Sequence, residues 1–137
     1  MILNLAQGGV PQKTEVVWVH QDYGKAVEIA NFPAQTLTFS GKYKGYYIAF
    51  RYTSDSYGSP EYYSIKYVPL TETRIATGCV PTFQDFDGGY NVSVRVIDRV
   101  TENSIAFGSC GYGGWSKAFE SGSACIPMKI WGVPFAI

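Results

Sequence analysis

The chain has 137 residues, a length that fits one domain with a sizeable core. Its formal net charge is zero, and 16% of its residues are charged, fewer than in an average soluble domain. No basic stripe or patch points to nucleic-acid binding, and no apolar run is long enough for a membrane helix. The first residues lack the pattern of a secretory signal, so we expect a protein made in the cytoplasm. A neutral, weakly charged surface favours association, and we therefore expect a complex or an oligomer.

Residues 1–13 contain two adjacent glycines and a proline, and they are predicted to form a flexible lead-in. Residues 14–137 are predicted to form a single domain. Its first strand is expected at residues 14–20, where β-branched and aromatic residues dominate, with Val17 and Val19 on the same face.

The middle of the chain is organised around residues 41–68, where two tyrosine-rich runs flank a turn-forming segment and predict a hairpin. Before it, residues 25–32 fit either a helical turn or a strand, and residues 35–40 alternate as one strand does. In the hairpin we expect Phe50 to lie opposite Ile65, as an aromatic and β-branched cross-strand pair.

The faces of this hairpin follow from the alternation of its residues. Ile48, Phe50 and Ile65 are expected to point into the core. The connection at residues 54–60 is the expected place for recognition, because its Ser, Asp and Gly residues are typical of an exposed turn. The tyrosines expected to remain on the outer side are Tyr43, Tyr47 and Tyr62.

The second half of the chain predicts further strands. Residues 75–83 are a weak candidate that glycine and proline interrupt, and a later Asp-Gly pair marks a turn. Residues 90–100 show the longest alternation in the chain, with valines on one face and Arg95 on the other, and predict a half-buried strand. Residues 104–109 are its short predicted partner.

The C-terminal part begins with residues 111–123, which are rich in glycine, lack periodicity and are predicted to form a loop. Residues 124–137 then contain a last strand, in which Ile126, Met128 and Ile130 alternate. The prolines of this strand suit an edge strand or the first residue of a strand.

Seven or so short strand candidates, and no segment with a sustained helical period, indicate an all-β fold. The predicted architecture is an antiparallel β-sandwich or jelly roll. No internal repeat has the spacing of a solenoid or propeller.

The sequence offers little for catalysis. Its single histidine, His20, follows the first predicted strand without a marked nucleophile nearby, so we interpret it as a surface residue. Asp85 and Asp87 precede a glycine as in a calcium loop, but the further oxygen ligands of that motif are missing. We therefore expect no enzyme activity, no metal and no cofactor. The alternative, a small hydrolase on a jelly-roll scaffold, would need a pocket in which Glu61 converges with Asp85 and Asp87.

The three cysteines, Cys79, Cys110 and Cys125, are an odd number, whereas a secreted disulfide framework normally uses an even one. Cys110 and Cys125 either form a bridge across the glycine-rich segment or stay reduced, like Cys79, as small buried hydrophobes. The lack of a secretory signal favours the reduced state.

Surface recognition is the kind of function that remains. Two predicted loops combine aromatic rings with Ser, Gly and Asp, a mixture that binds sugar faces or other proteins. Alternatively, these rings pack back onto the sandwich and order their own loops. The candidate ligand-binding residues are Tyr57, Tyr62, Tyr112 and Trp115.

Several short motifs, in their order along the chain, carry a resemblance to one family. They are LNLAQGG at residues 3–9, QTLTFS followed by KGYYIAFRYTSD, VRVIDRVTENSIAFGSC at residues 94–110, and CIPMKIWGV at residues 125–133. In these motifs the chain resembles the small β-structured accessory proteins encoded in the tail and receptor-binding regions of bacteriophages and prophages.

This resemblance implies a non-enzymatic, tail-associated structural or adhesion protein that acts by surface recognition. It implies a location in the virion tail after synthesis in the bacterial host cytoplasm. It also implies a homo-oligomer, preferably a trimer, in contact with other tail proteins and with a host-surface glycan. The alternative is a free-standing carbohydrate-binding module.

Overall fold

The fold is given by a computed structural model that describes residues 5–6, 10–11, 13–25, 32–53, 63–79, 92–113 and 124–135. Within these ranges no helix is long and apolar enough to cross a membrane, and the regular elements are all β-strands. In chain order the strands are β1 (Leu5–Ala6), β2 (Val10–Pro11), β3 (Glu15–Val19), β4 (Gln35–Thr38), β5 (Tyr43–Thr53), β6 (Tyr63–Pro69), β7 (Ile75–Cys79), β8 (Val92–Thr101), β9 (Ser104–Gly113) and β10 (Ala124–Pro134).

Two four-stranded antiparallel sheets contain all strands from β3 onward. Sheet I has the order β3-β10-β5-β6, and sheet II has the order β4-β9-β8-β7. β1 and β2 pair with each other in a separate ladder. The predicted all-β antiparallel sandwich is thus confirmed, while the division into a lead-in of residues 1–13 and a domain of residues 14–137 stays a prediction.

The core lies between the two sheets. Sheet I contributes Ile48 and Phe50 from β5, both 0% exposed. Sheet II contributes Ile97 and Phe107, which lie opposite each other in the β8–β9 ladder. Phe32, just before β4, meets Phe107 edge-on, with 5.5 Å between the ring centroids. Each such side chain contributes roughly 1.5–3 kcal/mol by leaving water, so the inter-sheet layer is the main source of stability.

The central hairpin forms, but its register is one residue away from the predicted one. Ser64 lies opposite Phe50, and Ile65 lies opposite Ala49. Because successive residues of a strand point to opposite faces, this shift moves Ile65 to the outer face of sheet I, where it packs in a cluster with Ala49. The interpretation of Ile65 as a core residue is therefore wrong, whereas Ile48 and Phe50 are core residues as predicted.

Tyr43 is buried, although the sequence placed it on the outer side. Its side chain is 5% exposed, and its ring centroid lies 5.8 Å from that of the core residue Tyr46. Gly132 makes room for it, because a Cβ atom at that position would overlap the Tyr43 ring. The hydroxyl of Tyr43 donates a 2.7 Å hydrogen bond to Oε2 of Glu15, so burial of the phenol leaves its polar end satisfied.

β3 departs from simple alternation. In its ladder with β10, two adjacent residues of β10 lie opposite Trp18 and Val16, which makes Val17 an extra residue in a β-bulge. Val17 and Trp18 both pack against the core, while Val16 and Val19 are 51% and 48% exposed. The prediction that Val17 and Val19 share a face is therefore wrong.

β10 is a central strand, although its prolines suggested an edge. It pairs with β3 on one side and with β5 on the other. A register shift between Pro127 and Lys129 lets the ladder continue past a residue that has no backbone N–H. Cys125 in the same strand adopts a left-handed backbone, with φ at 47°. Local irregularity thus makes a proline compatible with the centre of a sheet.

β8 is a half-buried strand as predicted at residues 90–100, but its buried face is that of Arg95, at 0% exposure, whereas Val94 and Val96 on the predicted apolar face are only half-buried. The guanidinium donates hydrogen bonds to the carbonyl oxygens of Phe32 at 2.9 Å, Gly108 at 3.0 Å and Cys125 at 3.2 Å. Burial lowers the pKa of Arg95, and the thiols of Cys110 and Cys125 act in the opposite direction. Arg95 therefore ties β10, β9 and the segment before β4 together from inside.

The thiols of Cys110 and Cys125 are both buried, in agreement with the reduced alternative. The Sγ atom of Cys125 lies 4.0 Å from the carbonyl oxygen of Thr77. Both side chains are 0% exposed, so they act as small apolar groups of the core.

Several predicted features lie outside the described residues. They include most of the ambiguous segment at 25–32, the connection at 54–60, and the three acidic residues considered for a hydrolase or a cation site. β9 continues to Gly113, so the loop predicted at 111–123 begins later than expected, and the remainder of it also lies outside the described residues.

Candidate functional site

The outer face of sheet II carries small and polar residues together with the half-buried Val94 and Val96, which alternate with the buried Arg95 and Ile97. One row of laterally paired residues across it is Thr36, Ala106 and Arg99. Charged side chains on this side form ion pairs, such as Arg74 Nε with Asp98 Oδ1 at 2.8 Å. This composition is typical of a solvated surface.

The outer face of sheet I is different, because it is aromatic and aliphatic. Two rows of laterally paired residues cross all four strands, and these rows contain one charged residue, Lys129, and no carboxylate. The rows are Val16–Trp131–Tyr47–Tyr67 and Val19–Lys129–Ala49–Ile65. Ala49 and Trp131 in the middle of these rows are 1% and 3% exposed, whereas Val16, Val19 and Tyr67 are about half exposed, so the parts of this face that are open to an interaction lie towards its two edge strands.

The part of this face nearest β6 forms what we call the tyrosine surface. Its rings make two tilted pairs, one of Tyr47 with Tyr67 at 5.0 Å between centroids and one of Tyr23 with Tyr63 at 5.6 Å. Tyr67 is 46% exposed, and the other three tyrosines are half-buried. Paired rings that are held in place by neighbours, yet partly open to solvent, can contact a ligand at little cost in side-chain entropy.

The turn after β3 positions Tyr23 in this surface. Residues 21–24 turn back, with a 3.0 Å hydrogen bond from Tyr23 N to His20 O and a left-handed Gly24 at φ 82°. The N–H of Gly24 then donates to the hydroxyl of Tyr63 at 3.0 Å. The turn thus reaches from the edge strand β3 to the first residue of the opposite edge strand, β6.

Lys129 places a positive charge beside the rings. Its Nζ atom lies 5.0 Å from the ring centroid of Tyr23 and 5.0 Å from that of Trp131. Trp131 is itself buried, at 3% exposure, so its ring contacts the ammonium group from the inner side. Burial lowers the pKa of Lys129, while the two aromatic faces favour its charged form.

A second cation, Arg51, is buried next to Tyr63, its partner across the β5–β6 ladder. Burial raises the pKa of the Tyr63 phenol, while the Gly24 N–H and the charge of Arg51 lower it. Burial also lowers the pKa of His20, which Asp22 raises and Arg51 lowers further. This corner of sheet I therefore combines protonated phenols with positive charge.

The arrangement can bind, and its chemistry is that of stacking, hydrogen bonding and charge attraction. Tyrosine rings offer apolar faces, their hydroxyls donate and accept hydrogen bonds, and Lys129 attracts an anionic group. In the described part of the chain no three His, Cys, Asp or Glu side chains gather as metal ligands would.

The structure does not test the candidate residues predicted from the sequence. Tyr57, Tyr62 and Trp115 lie outside the described residues, and Tyr112 is placed only by its backbone, in β9 opposite Ser93. These four residues stay predictions.

The prediction did not include three members of the tyrosine surface, Tyr23, Tyr63 and Tyr67, although it placed Tyr47 on the outer side. The signal was present in the sequence, because the correct hairpin register places Tyr47 opposite Tyr67 on one face. The hairpin register predicted from the sequence differs from the observed one by one residue, and it therefore did not place Tyr47 opposite Tyr67.

Comparisons of the chain with models of protein families, with curated proteins and with solved structures gave no match. The class that the structure defines is an all-β antiparallel sandwich of two four-stranded sheets.

Proposed function

We propose that this protein is a non-enzymatic recognition protein, a tail-associated structural or adhesion component of a bacteriophage or prophage. It binds a host-surface glycan through the tyrosine surface of sheet I, and it works in the virion tail as a homo-oligomer with other tail proteins. The resemblance of its motifs to tail-associated accessory proteins supports the location, and the chemistry of the tyrosine surface supports the binding role.

One observation supports this proposal most. The rows across sheet I hold tyrosine, tryptophan and aliphatic residues with a single cation, whereas one row across sheet II is small and polar, with ion pairs nearby. Aromatic rings stack on the apolar faces of sugars, and their hydroxyls bond to sugar hydroxyls. Lys129, between Tyr23 and Trp131, favours a sugar that carries a carboxylate or another anionic group.

A glycan array tests this proposal. We expect the labelled wild-type protein to bind at least one glycan, with a preference for anionic sugars, and Tyr67→Ala to weaken this binding about tenfold by removing a stacking ring. Thr36→Ala is the matched control, because Thr36 is an exposed strand residue on the outer face of sheet II. Absence of glycan binding, or equal weakening by both substitutions, would contradict the proposal.

The assembly is tested separately by light scattering. The resemblance favours a homotrimer, so we expect a mass of about three chains at micromolar concentration. A strict monomer at that concentration would contradict the tail-associated assembly.

A free-standing carbohydrate-binding module is the second candidate. It is favoured by one observation: all members of the tyrosine surface belong to a single chain, so sugar binding needs no second subunit. A monomer that retains full glycan affinity, with affinity lost in Tyr67→Ala, would support this candidate over the oligomeric tail protein.

A further inference from the structure

The side chain of His20 closes the turn that carries Tyr23. Its Nδ1 atom accepts a 3.0 Å hydrogen bond from the N–H of Asp22, two residues along the chain. The backbone of the same turn adds bonds from Tyr23 N to His20 O and from Lys25 N to Asp22 O, both at 3.0 Å. An N–H group only donates, so Nδ1 is the unprotonated nitrogen of a neutral ring. The closed turn therefore selects neutral His20 with its proton on Nε2.

His20 itself is held to sheet I by two contacts. Its backbone N–H donates to the carbonyl oxygen of Met128 in β10 at 2.8 Å. Its ring meets that of Trp18 edge-on, with 5.9 Å between the centroids, and Trp18 packs against the core. A change at Nδ1 is therefore taken up by the turn, where Gln21 and Lys25 are exposed.

The position of this turn decides two contacts of the tyrosine surface. The Gly24 N–H donates to the hydroxyl of Tyr63 at 3.0 Å. The ring of Tyr23 lies 5.6 Å from that of Tyr63 and 5.0 Å from Nζ of Lys129, measured to ring centroids. Opening of the turn thus removes one ring from the surface and separates Lys129 from one of its two aromatic partners.

We infer that His20 is a pH-dependent switch of the tyrosine surface. Protonation of Nδ1 converts the acceptor into a donor that faces the N–H of Asp22, so this hydrogen bond is lost. The turn then opens, and the Tyr23 ring and the Gly24 N–H move away from Tyr63. This opening is a property of the folded chain and does not rest on the proposed function, whereas a loss of glycan affinity in acid would rest on it.

The charges around His20 place the switch on the acid side of its ordinary pKa. Burial lowers the pKa of His20 from 6.5, the Asp22 carboxylate raises it, and the charge of Arg51 lowers it further. The closed turn is therefore fully stabilised above pH 6.5, and this stability is lost as the pH falls through the lowered pKa. In the described part of the chain, the charged or titratable groups facing His20 and its turn are Asp22 and Lys25 of the turn, Arg51 of β5, Tyr63 of β6 and Lys129 of β10.

An NMR titration of the isotope-labelled full chain tests the switch without a glycan. His20 is the only histidine, so a charge change between about pH 5 and 7 in a side chain with an ordinary pKa there belongs to it. We expect the Nε2–H tautomer at neutral pH. On acidification, the amide shifts of Tyr23 and Gly24 should follow the His20 ring with a midpoint below pH 6.5, and the cross-peaks between the Tyr23 and Tyr63 rings should disappear.

A ring that stays neutral down to about pH 4 would overturn the inference. So would a ring that becomes charged while the cross-peaks between the Tyr23 and Tyr63 rings persist. Neither result depends on glycan binding, and absence of glycan binding would count against the proposed function alone. The two proposals therefore fail separately.

Two substitutions of His20 separate its charge from its role as acceptor. Asparagine accepts a hydrogen bond from the N–H two residues on and does not titrate, so His20→Asn should keep the signals of the closed turn throughout the titration. Leucine has no acceptor, so His20→Leu at neutral pH should give the Tyr23 and Gly24 signals of the acidified wild type. Equal pH responses in the wild type and His20→Asn, or a closed turn in His20→Leu, would overturn the switch.

Discussion

At the scale of single residues, Arg95 is a buried cation that holds segments of both sheets together by hydrogen bonds. It is 0% exposed, and three backbone carbonyls from different segments accept its hydrogen bonds. These carbonyls are already removed from water, so loss of the donor leaves them unsatisfied. The arginine is thus a structural tie between the two sheets.

Arg95→Met tests this role, because methionine fills space but donates no hydrogen bond. We expect a loss of about 3 kcal/mol or more in the free energy of unfolding, since each abandoned buried carbonyl costs about 1–3 kcal/mol. Arg99→Met is the matched control on the same strand. Arg99 is an exposed residue whose Nη2 lies 3.6 Å from Glu72 Oε1, and its replacement should cost less than about 0.5 kcal/mol. Equal losses in urea unfolding of the two variants would contradict the role of Arg95.

Tyr43 gives the molecule a dependence on alkaline pH. Burial, and then the hydrogen bond to Glu15 and its charge, raise the pKa of Tyr43 from 10.0 to about 12. A raised pKa in the folded state means that the native form holds a proton which the unfolded form has lost above pH 10. The stability that this provides is fully present below the unfolded pKa and is lost as the pH rises through the folded pKa.

The Tyr43→Phe variant should therefore lose stability less steeply than the wild type between about pH 10 and 12. The largest expected difference in slope is about 1.4 kcal/mol per pH unit, the value for one proton. Urea unfolding over a pH series measures both slopes. Parallel slopes for the two proteins would show that Tyr43 does not contribute in this way.

At the scale of strands, alternation predicted where strands lie but not how they pair. The first strand, the tyrosine-rich hairpin and the strand at residues 90–100 all exist as expected. The bulge in β3 and the register shift beside Pro127 were not predictable, because they depend on which strand lies alongside. The one-residue error in the hairpin had the largest effect, since it exchanged the two faces of β6.

Two isoleucines of the hairpin test the observed register. Ile48 is 0% exposed between the sheets, so Ile48→Ala is expected to lower the free energy of unfolding by about 2–5 kcal/mol. Ile65 is half-buried on the outer face, and Ile65→Ala should cost about 1 kcal/mol. Similar large losses for both variants in urea unfolding would favour the register predicted from the sequence, with both residues in the core.

At the scale of the whole molecule, the two sheets have different outer faces. The tyrosine surface of sheet I could not be located from the sequence, because its rows combine residues from distant segments, such as Tyr47, Tyr67 and Trp131. The sequence did indicate that aromatic recognition is the plausible chemistry. It located that chemistry in loops, whereas the described structure offers a sheet face for it.

We proposed that the tyrosine surface binds an anionic glycan. The most direct test is to titrate the isotope-labelled protein with the glycan that binds best on the array and to map the amide chemical-shift changes. We expect the largest changes at Tyr47, Ile65 and Tyr67, and no change at Thr36, Ala106 and Arg99. Changes concentrated on the outer face of sheet II, or a titration without saturable shifts on sheet I, would contradict the proposal.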